Sequence, residues 1–385
     1  MKKSFEQFLP FSRPTIDDAA IEEVVKTLRS GWITTGPKTS TFEKMLSEYF
    51  EAPYVLAVNS ATAGLYISLQ ALNFEEGDEI ITTPMTFVAT LNIIVMNKLK
   101  PVLVDIDLNS YNIDVTKIEE KITPRTRAII PVHFAGLAAG IDVIYQIAKK
   151  YNLRVIEDAA HAAGAYFKGD KIGSFGDIQV FSFHPNKNMT TGEGGCIVIR
   201  DQNLMEKIKL LRFHGLDREA WNRFSKEGSQ DYDILLPSHK FNMMDIQAAL
   251  GIHQLNKLDY FNSRRYSLSN RYIKKLKKIE TLKLPMSTPG HSWHLFAPLV
   301  KNGLRGCYIR ELKSLNIGTG LHYFPVHLFS YYKKTFGWKK GDFPNAEKVG
   351  DSIFSLPLFP LLKDEEQDTI INAICYINDN KDFKL

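Results

Sequence analysis

Seven short apolar runs punctuate the first two hundred residues of this chain. They are "YVLAV" from Tyr54, "DEIIT" from Asp78, "PVLVDI" from Pro101, "AIIPVHF" from Ala128, "LRVIED" from Leu153, "IQVFSF" from Ile178 and "CIVI" from Cys196. Between them lie segments whose apolar residues recur at helical spacing: "ATAGLYISLQAL", "TFVATLNIIVMNK", "DVIYQIAKKYN" and "NLMEKIKLLRF". Near-continuous apolar strands taking turns with amphipathic helices predict an α/β fold, a mostly parallel sheet covered by helices on both faces. In such sheets ligands bind at the carboxyl ends of the strands, so the strand ends are where candidate chemistry is sought.

The rhythm changes near residue 243. "MMDIQAALGIHQLNKLDYFNSRRYSLSNRYIKKLKKI" reads as one long helical stretch with a bend expected near Gly251. Weaker strands and helices follow, broken by "LPMSTPGHS" and "KKGDFPN". This predicts a large domain over residues 1–254, including an N-terminal arm, and a smaller α+β domain over 255–385.

Composition narrows the class. Of the 385 residues 44% are apolar and 24% charged, as in ordinary globular proteins. The net charge of +5 suits an anionic small molecule, and its spread gives no basic stripe of the kind that binds nucleic acid. The densest basic run, "RRYSLSNRYIKKLKKIE", reads as a helix with a solvated charged face. Cys196, Cys307 and Cys375 stand far apart without a CxxC, which fits a reducing compartment and gives no disulfide framework or metal-ligand set. No run approaches the ~20 apolar residues of a membrane span, and the first residues lack the apolar segment of a secretion signal. The expectation is a cytoplasmic chain that engages neither membrane nor nucleic acid.

Four features fall at predicted strand ends. In "VNSATAGL" a strand ends at Ser60 and a helix starts at Ala61, where small residues, free backbone N–H groups and the Thr62 hydroxyl suit an anion; Ser60 reads equally well as a plain helix cap. In "TPMTFVATL" Phe87 stands where a ring could face a planar ligand or simply pack in the core. In "VIEDAAHA" Asp158 ends an apolar strand, where an acid needs a partner, and His161 follows three residues on; a capping acid and a structural histidine are the plainer readings. In "FSFHPNKNMTTGEGG" Ser182 closes a strand and Lys187 follows in the loop, with Glu193 read as a turn residue. A loop lysine is most often a solvated charge. Taken together, an anion cradle, a ring, an acid and a lysine are the parts that pyridoxal 5'-phosphate requires.

With these residues in place the sequence resembles the DegT/DnrJ/StrS family of sugar aminotransferases, fold type I pyridoxal-phosphate enzymes. The likeness runs through "SGWITTGP", "NSATAGL", "TFVATLN", "DIDLNSYNID", "ITPRTRAIIPVHFAG", "VIEDAAHAAGA", "FSFHPNKNMTTGEGG", "RFHGL" and "LHYFPVHL", nearly the whole chain. The resemblance implies that Lys187 links covalently to the cofactor and that Asp158 pairs with its pyridine nitrogen. It further implies that Phe87 stacks on the ring, that Ala61, Thr62 and Ser182 contact the phosphate, and that His161 lies near the 3-hydroxyl. Active sites shared across a homodimer interface are implied too. Many members carry N-Y-R before the "IQAALG" helix, whereas here Lys240 and Asn242 stand in "HKFNMMDIQAALG", so either is a candidate for the partner's cofactor.

Segments "SGWITTGPK", "WHLF" and "NIGTGLH" are similar to the branch that includes UDP-4-amino-4-deoxy-L-arabinose–oxoglutarate aminotransferase. The activity this implies is ping-pong transfer of an amino group from L-glutamate to a nucleotide-linked keto-sugar, with a UDP-linked 4-keto sugar favoured, for surface glycan or lipid A biosynthesis. A dTDP- or GDP-linked 4-keto-6-deoxy or 3-keto sugar is the alternative acceptor. Trp32 and Thr35 are substrate-side by resemblance; His322 and His327 are either substrate-side or structural. Dehydratases of the same fold replace the lysine by histidine or hold an iron–sulfur cluster, and the intact Lys187 and scattered cysteines argue against both. A non-catalytic pyridoxal-phosphate-binding regulator is the reading from another class.

Overall fold

The computed structural model describes residues 5–217 and 231–380. Two helices, α1 (Asp18–Arg29) and α2 (Pro37–Phe50), precede the sheet. Then follow β1 (Tyr54–Val58), α3 (Ala61–Ala71), β2 (Glu79–Thr82), α4 (Ala89–Met96), β3 (Lys100–Leu103), β4 (Thr126–Ile129), α5 (Ile141–Tyr151) and β5 (Arg154–Asp158). A small hairpin, β6 (Tyr166–Phe167) with β7 (Asp170–Lys171), leads to β8 (Ile178–Ser182), β9 (Gly195–Ile199) and α6 (Gln202–Arg212).

The seven main strands form one sheet in the order β1-β9-β8-β5-β4-β2-β3. All pairings from β3 through β8 are parallel, and β9 runs antiparallel to both its neighbours. Each apolar run of the sequence is therefore a strand of this sheet. Side chains alternate between two cores, as a pleat with both faces buried requires. Val55, Ala57, Val155, Phe181, Cys196 and Val198 join Phe42, Phe50 and Ile144 on one face. Leu56, Val58, Ile156, Val180, Ile197 and Ile199 join Leu65, Ile67, Leu204 and Ile208 on the other.

The long helical stretch is two helices, α7 (Asp245–Leu255) and α8 (Leu258–Leu276). The break falls at Asn256 and Lys257, where Lys257 leaves helical geometry at ψ −1°, and not at Gly251. Gly251 serves packing instead: a Cβ there would lie 2.6 Å from the ring of the fully buried Phe42. On α8, Leu268, Tyr272 and Leu276 repeat every fourth residue and are buried, while Lys274 and Lys275, and Lys277 and Lys278 just past its end, stay exposed. They meet Leu312 of α9 (Arg305–Ser314) and Ile370, Ile374 and Ile377 of the last long helix (Asp364–Asp379) in a separate core that also takes in Leu9. No helix among the described residues is long and apolar enough to cross a membrane.

Candidate active site

The segments following β1, β2, β4, β5 and β8 meet at one cavity of about 270 Å³. Its wall includes Ser60, Ala61, Thr62, Phe87, Asp158, His161, Ser182, Lys187 and His322, gathered from segments up to 262 positions apart. The start of α3 forms one side. Ser60 caps the helix by accepting from Ala63 N–H at 3.1 Å, so the plain capping reading of this serine is what its side chain shows. The N–H groups of Ala61 and Thr62, which no residue among those described takes up, form the helix's positive end. Gly195 lets β9 press against this turn, because a Cβ would lie 2.8 Å from Ala61 N.

Asp158 ends β5, 6% exposed. Burial pushes its carboxyl above the usual carboxylate range; the Thr90 hydroxyl, the Ala160 N–H and the Lys187 ammonium pull the other way. Thr90 Oγ1 donates to Asp158 Oδ2 at 2.7 Å and, its own proton so committed, accepts from Thr86 Oγ1 at 2.8 Å. Ala160 N–H donates to Oδ1 at 3.2 Å. Lys187 sits in the loop between β8 and β9, and among the described residues nothing hydrogen-bonds its amine. Burial lowers its pKa to about 8, against a weaker upward pull from Asp158.

His161 accepts from Ala135 N–H at Nδ1 (3.2 Å) and lies 3.0 Å from the Tyr323 hydroxyl at Nε2. Burial first, then Lys187 and His322, hold it well below its ordinary pKa, so it is neutral at pH 7. His322 is lowered to about 4, by burial and then Lys187, and its Nδ1 bonds Ser355 Oγ at 2.9 Å. Phe87 is 57% exposed, in the loop just before α4, with its ring 6.1 Å from that of Tyr323.

Other expected residues lie elsewhere. His327 is fully buried and bonded to Glu347 at 3.0 Å, so its substrate-side role is corrected to a structural one. Thr35 is buried too: its hydroxyl donates to Met243 O at 2.5 Å and accepts from Asn242 Nδ2 at 2.5 Å. Trp32 donates from Nε1 to Thr35 O at 3.1 Å and lines a separate, shallower hollow of about 660 Å³ beside Glu23, Lys38 and Asp245. Neither reaches the Lys187 cavity within this chain, because Thr35–Met243 and Asp245 with Lys38 and Thr39 tie their loop to the start of α7. Lys240 and Asn242 also lie outside it. Lys240 Nζ donates to Asn242 Oδ1 at 2.9 Å, beside the end of β1.

The structure adds residues that sequence reasoning missed. Tyr323 stood unremarked beside a histidine in "LHYFPVHL", and Thr86 and Thr90 carried only an i,i+4 signal in "TPMTFVAT". Glu193, read as a turn residue, stands at the cavity wall, 3.9 Å from His184 Nε2. Two outcomes test the geometry. Thr90→Val is expected to cut turnover about tenfold and to raise the pH at which activity fails on the acid side, since a hydrogen bond to a charged carboxylate contributes about 1.5–3 kcal/mol. Asp158 is ionised above its pKa and loses that charge as pH falls, so removing a bond to the charged form moves the acid limb upward; an unmoved limb contradicts it. Reductive methylation of Lys187 by formaldehyde, followed by peptide mass, should rise with pH only to about 8. A rise continuing to pH 10 would show an ordinary solvated amine.

A pyridoxal phosphate fits these groups. An acid buried with no cation at bonding distance among the described residues, an amine whose pKa is lowered, and N–H groups at a helix start that none of those residues takes up are what its ring nitrogen, aldehyde carbon and phosphate respectively call for. Comparison with known proteins agrees. The model of the DegT/DnrJ/EryC1/StrS aminotransferase family matches residues 14–375. An uncharacterized protein of Methanocaldococcus jannaschii, MJ1066, is 49% identical over 375 residues, covering 96% of this chain and 97% of its own. The spore coat polysaccharide biosynthesis protein SpsC of Bacillus subtilis is 44% identical over 381 residues, 97% of this chain and 98% of its own. Among solved structures, the putative sugar aminotransferase Spr1654 of Streptococcus pneumoniae in its PMP form superposes with a TM-score of 0.90 at 34% identity, covering 96% of this chain and 99% of its own. Helicobacter pylori PseC, an aminotransferase of pseudoaminic acid biosynthesis, gives 0.91 at 29%, covering 97% and 100%. With the matched model spanning nearly all of it, the chain belongs to the DegT/DnrJ/EryC1/StrS aminotransferase family and is a fold type I, pyridoxal-phosphate-dependent aminotransferase.

Proposed function

We propose that the chain transfers an amino group from L-glutamate to a nucleotide-linked keto-sugar, with a UDP-linked 4-keto sugar as the favoured acceptor and surface glycan or lipid A biosynthesis as its setting. The observation that carries the catalytic part is the meeting of Lys187, Asp158 and the α3 start in one cavity. The sugar part is supported by the relatives, among them a spore coat polysaccharide protein and a pseudoaminic acid aminotransferase. The UDP preference is supported by the "SGWITTGPK", "WHLF" and "NIGTGLH" segments.

When bound, pyridoxal phosphate supplies a carbonyl carbon for the amino group and a ring that stabilises a carbanion at the donor's α-carbon. The chain's residues do the rest. The Lys187 amine, lowered to about 8, would take the α-proton of the amino donor and return a proton to the cofactor carbon that receives the amino group. Asp158 holds a proton on the ring nitrogen, with Thr90 and Thr86 fixing its carboxylate. Ala61, Thr62 and Ser182 hold the phosphate against the helix end, and Phe87 closes the exposed side against water.

In this reading the active enzyme is a homodimer in which Lys240 reaches the partner's cofactor. Lys240 is exposed, whereas Asn242 is 6% exposed with both ends of its amide engaged. The division at residues 254 and 255 belongs to the same reading, with His322 and Tyr323 brought from the smaller part to complete the wall. A panel of UDP-, dTDP- and GDP-linked keto-sugars offered with L-glutamate, products identified by mass, tests the proposal. An aminated UDP-sugar together with 2-oxoglutarate is expected. Amination of none of them, while glutamate still yields 2-oxoglutarate, would refute the acceptor class. No 2-oxoglutarate at all would favour a pyridoxal-phosphate-binding regulator.

A further inference from the structure

We infer that Tyr323 is a hydrogen-bond donor of the cavity wall to an oxygen of the bound ligand, and that His161 is the positioning residue that turns its proton that way. The inference follows from counting protons. Ala135 N–H donates to His161 Nδ1 at 3.2 Å, its one acceptor among the described residues, so that nitrogen offers its lone pair and carries no hydrogen. A neutral imidazole then holds its one proton on Nε2, 3.0 Å from Tyr323 Oη. This N–H donates to the phenol oxygen. The phenol's own hydrogen must point elsewhere, and among the described residues the hydroxyl has no other partner.

Tyr323 lines the cavity with Asp158 and Lys187. Its ring is held by Phe134, edge-on at 6.2 Å, and by Phe87 at 6.1 Å, so the hydroxyl has little freedom to swing away. His161 is fixed in turn by His294, its ring centroid 4.3 Å off. A fixed, singly committed donor favours an anionic or carbonyl oxygen over a hydroxyl that must also donate. Two oxygens offer that chemistry: the phenolic oxygen of pyridoxal phosphate and an oxygen of the amino acceptor. This deepens the cofactor-site reading and rests on it.

The first test needs neither ligand nor variant activity. Nitrogen-15 spectra of the full chain without cofactor, with the His161 signal assigned by its loss in His161→Phe, should show a neutral ring protonated at Nε2. A ring protonated at Nδ1 overturns the inference. The second test uses the holoenzyme. If the oxygen is the cofactor's, Tyr323→Phe raises the pH midpoint of its visible absorbance by about one unit, because a bond to the charged form is lost. If it is the acceptor's, the midpoint stays and KM for the acceptor rises about tenfold with kcat less affected. Neither change overturns the inference. His161→Phe should reproduce the effect, the double variant should add nothing further, and His161→Gln, which keeps an N–H donor, should stay nearer wild type. Additive effects would mean that His161 does not act through Tyr323. A wild-type chain that gains no visible band with pyridoxal phosphate would sink the cofactor-site reading itself and leave the spectral test of the ring standing.

Discussion

Lys187→Ala is expected to reduce turnover by about 10⁴-fold or more while leaving the fold and the cavity in place. The side chain does two things that no neighbour can take over. It supplies the only amine on the cavity wall among the described residues, and burial keeps it near pKa 8, where it can both accept and return a proton at neutral pH. The fold should persist, because Lys187 makes no side-chain hydrogen bond with any described residue. The backbone turn that places it, Lys187 N–H to His184 O at 2.9 Å, is available to alanine. The variant should still bind pyridoxal phosphate through Asp158 and the α3 start, but without a covalent link. Measured as 2-oxoglutarate formed from glutamate in a single turnover, activity within tenfold of wild type would remove Lys187 from the chemistry.

Asp158→Asn should lower the rate by about 10²–10³-fold, the cost of losing one fixed charge opposite a developing one. The amide keeps the size of the carboxylate and an oxygen that can accept from Thr90 or Ala160, so the wall should stay closed. What disappears is the negative charge that holds a proton on the ring nitrogen. Wild type should lose the same advantage as pH falls through the raised pKa of Asp158, and the variant should show no such acid limb. A variant that keeps both the rate and the limb would assign the limb to another group.

Much of this was legible in the chain. Most of the seven strands declared themselves because they bury both faces, so apolar residues run nearly unbroken and stop where the chain turns toward the cavity; the edge strand β3 buries only one face and leaves Lys100 exposed. Asp158, Ser182 and Ser60 could be placed at strand ends for that reason. The direction of β9 was less plain, although the connection 183–194 contains no helix to carry a parallel crossover. Gly251 misled because a glycine inside a helix suggests a bend; it is there for the ring of Phe42, a contact made across two helices. Tyr323 and the histidines show the same limit. His322 reaches the cavity and His327, five residues later, is sealed against Glu347, a difference set by tertiary packing with no local signature.

The central claim is that one lysine, in a cavity shared with Asp158 and the α3 start, bears the cofactor. Reduction of the pyridoxal-phosphate-loaded chain with borohydride, digestion and peptide mass analysis tests it most directly. The account predicts a stable pyridoxyl adduct on the peptide containing Lys187 and on no other lysine. A chain whose visible band disappears on reduction with the adduct on a different lysine would contradict it.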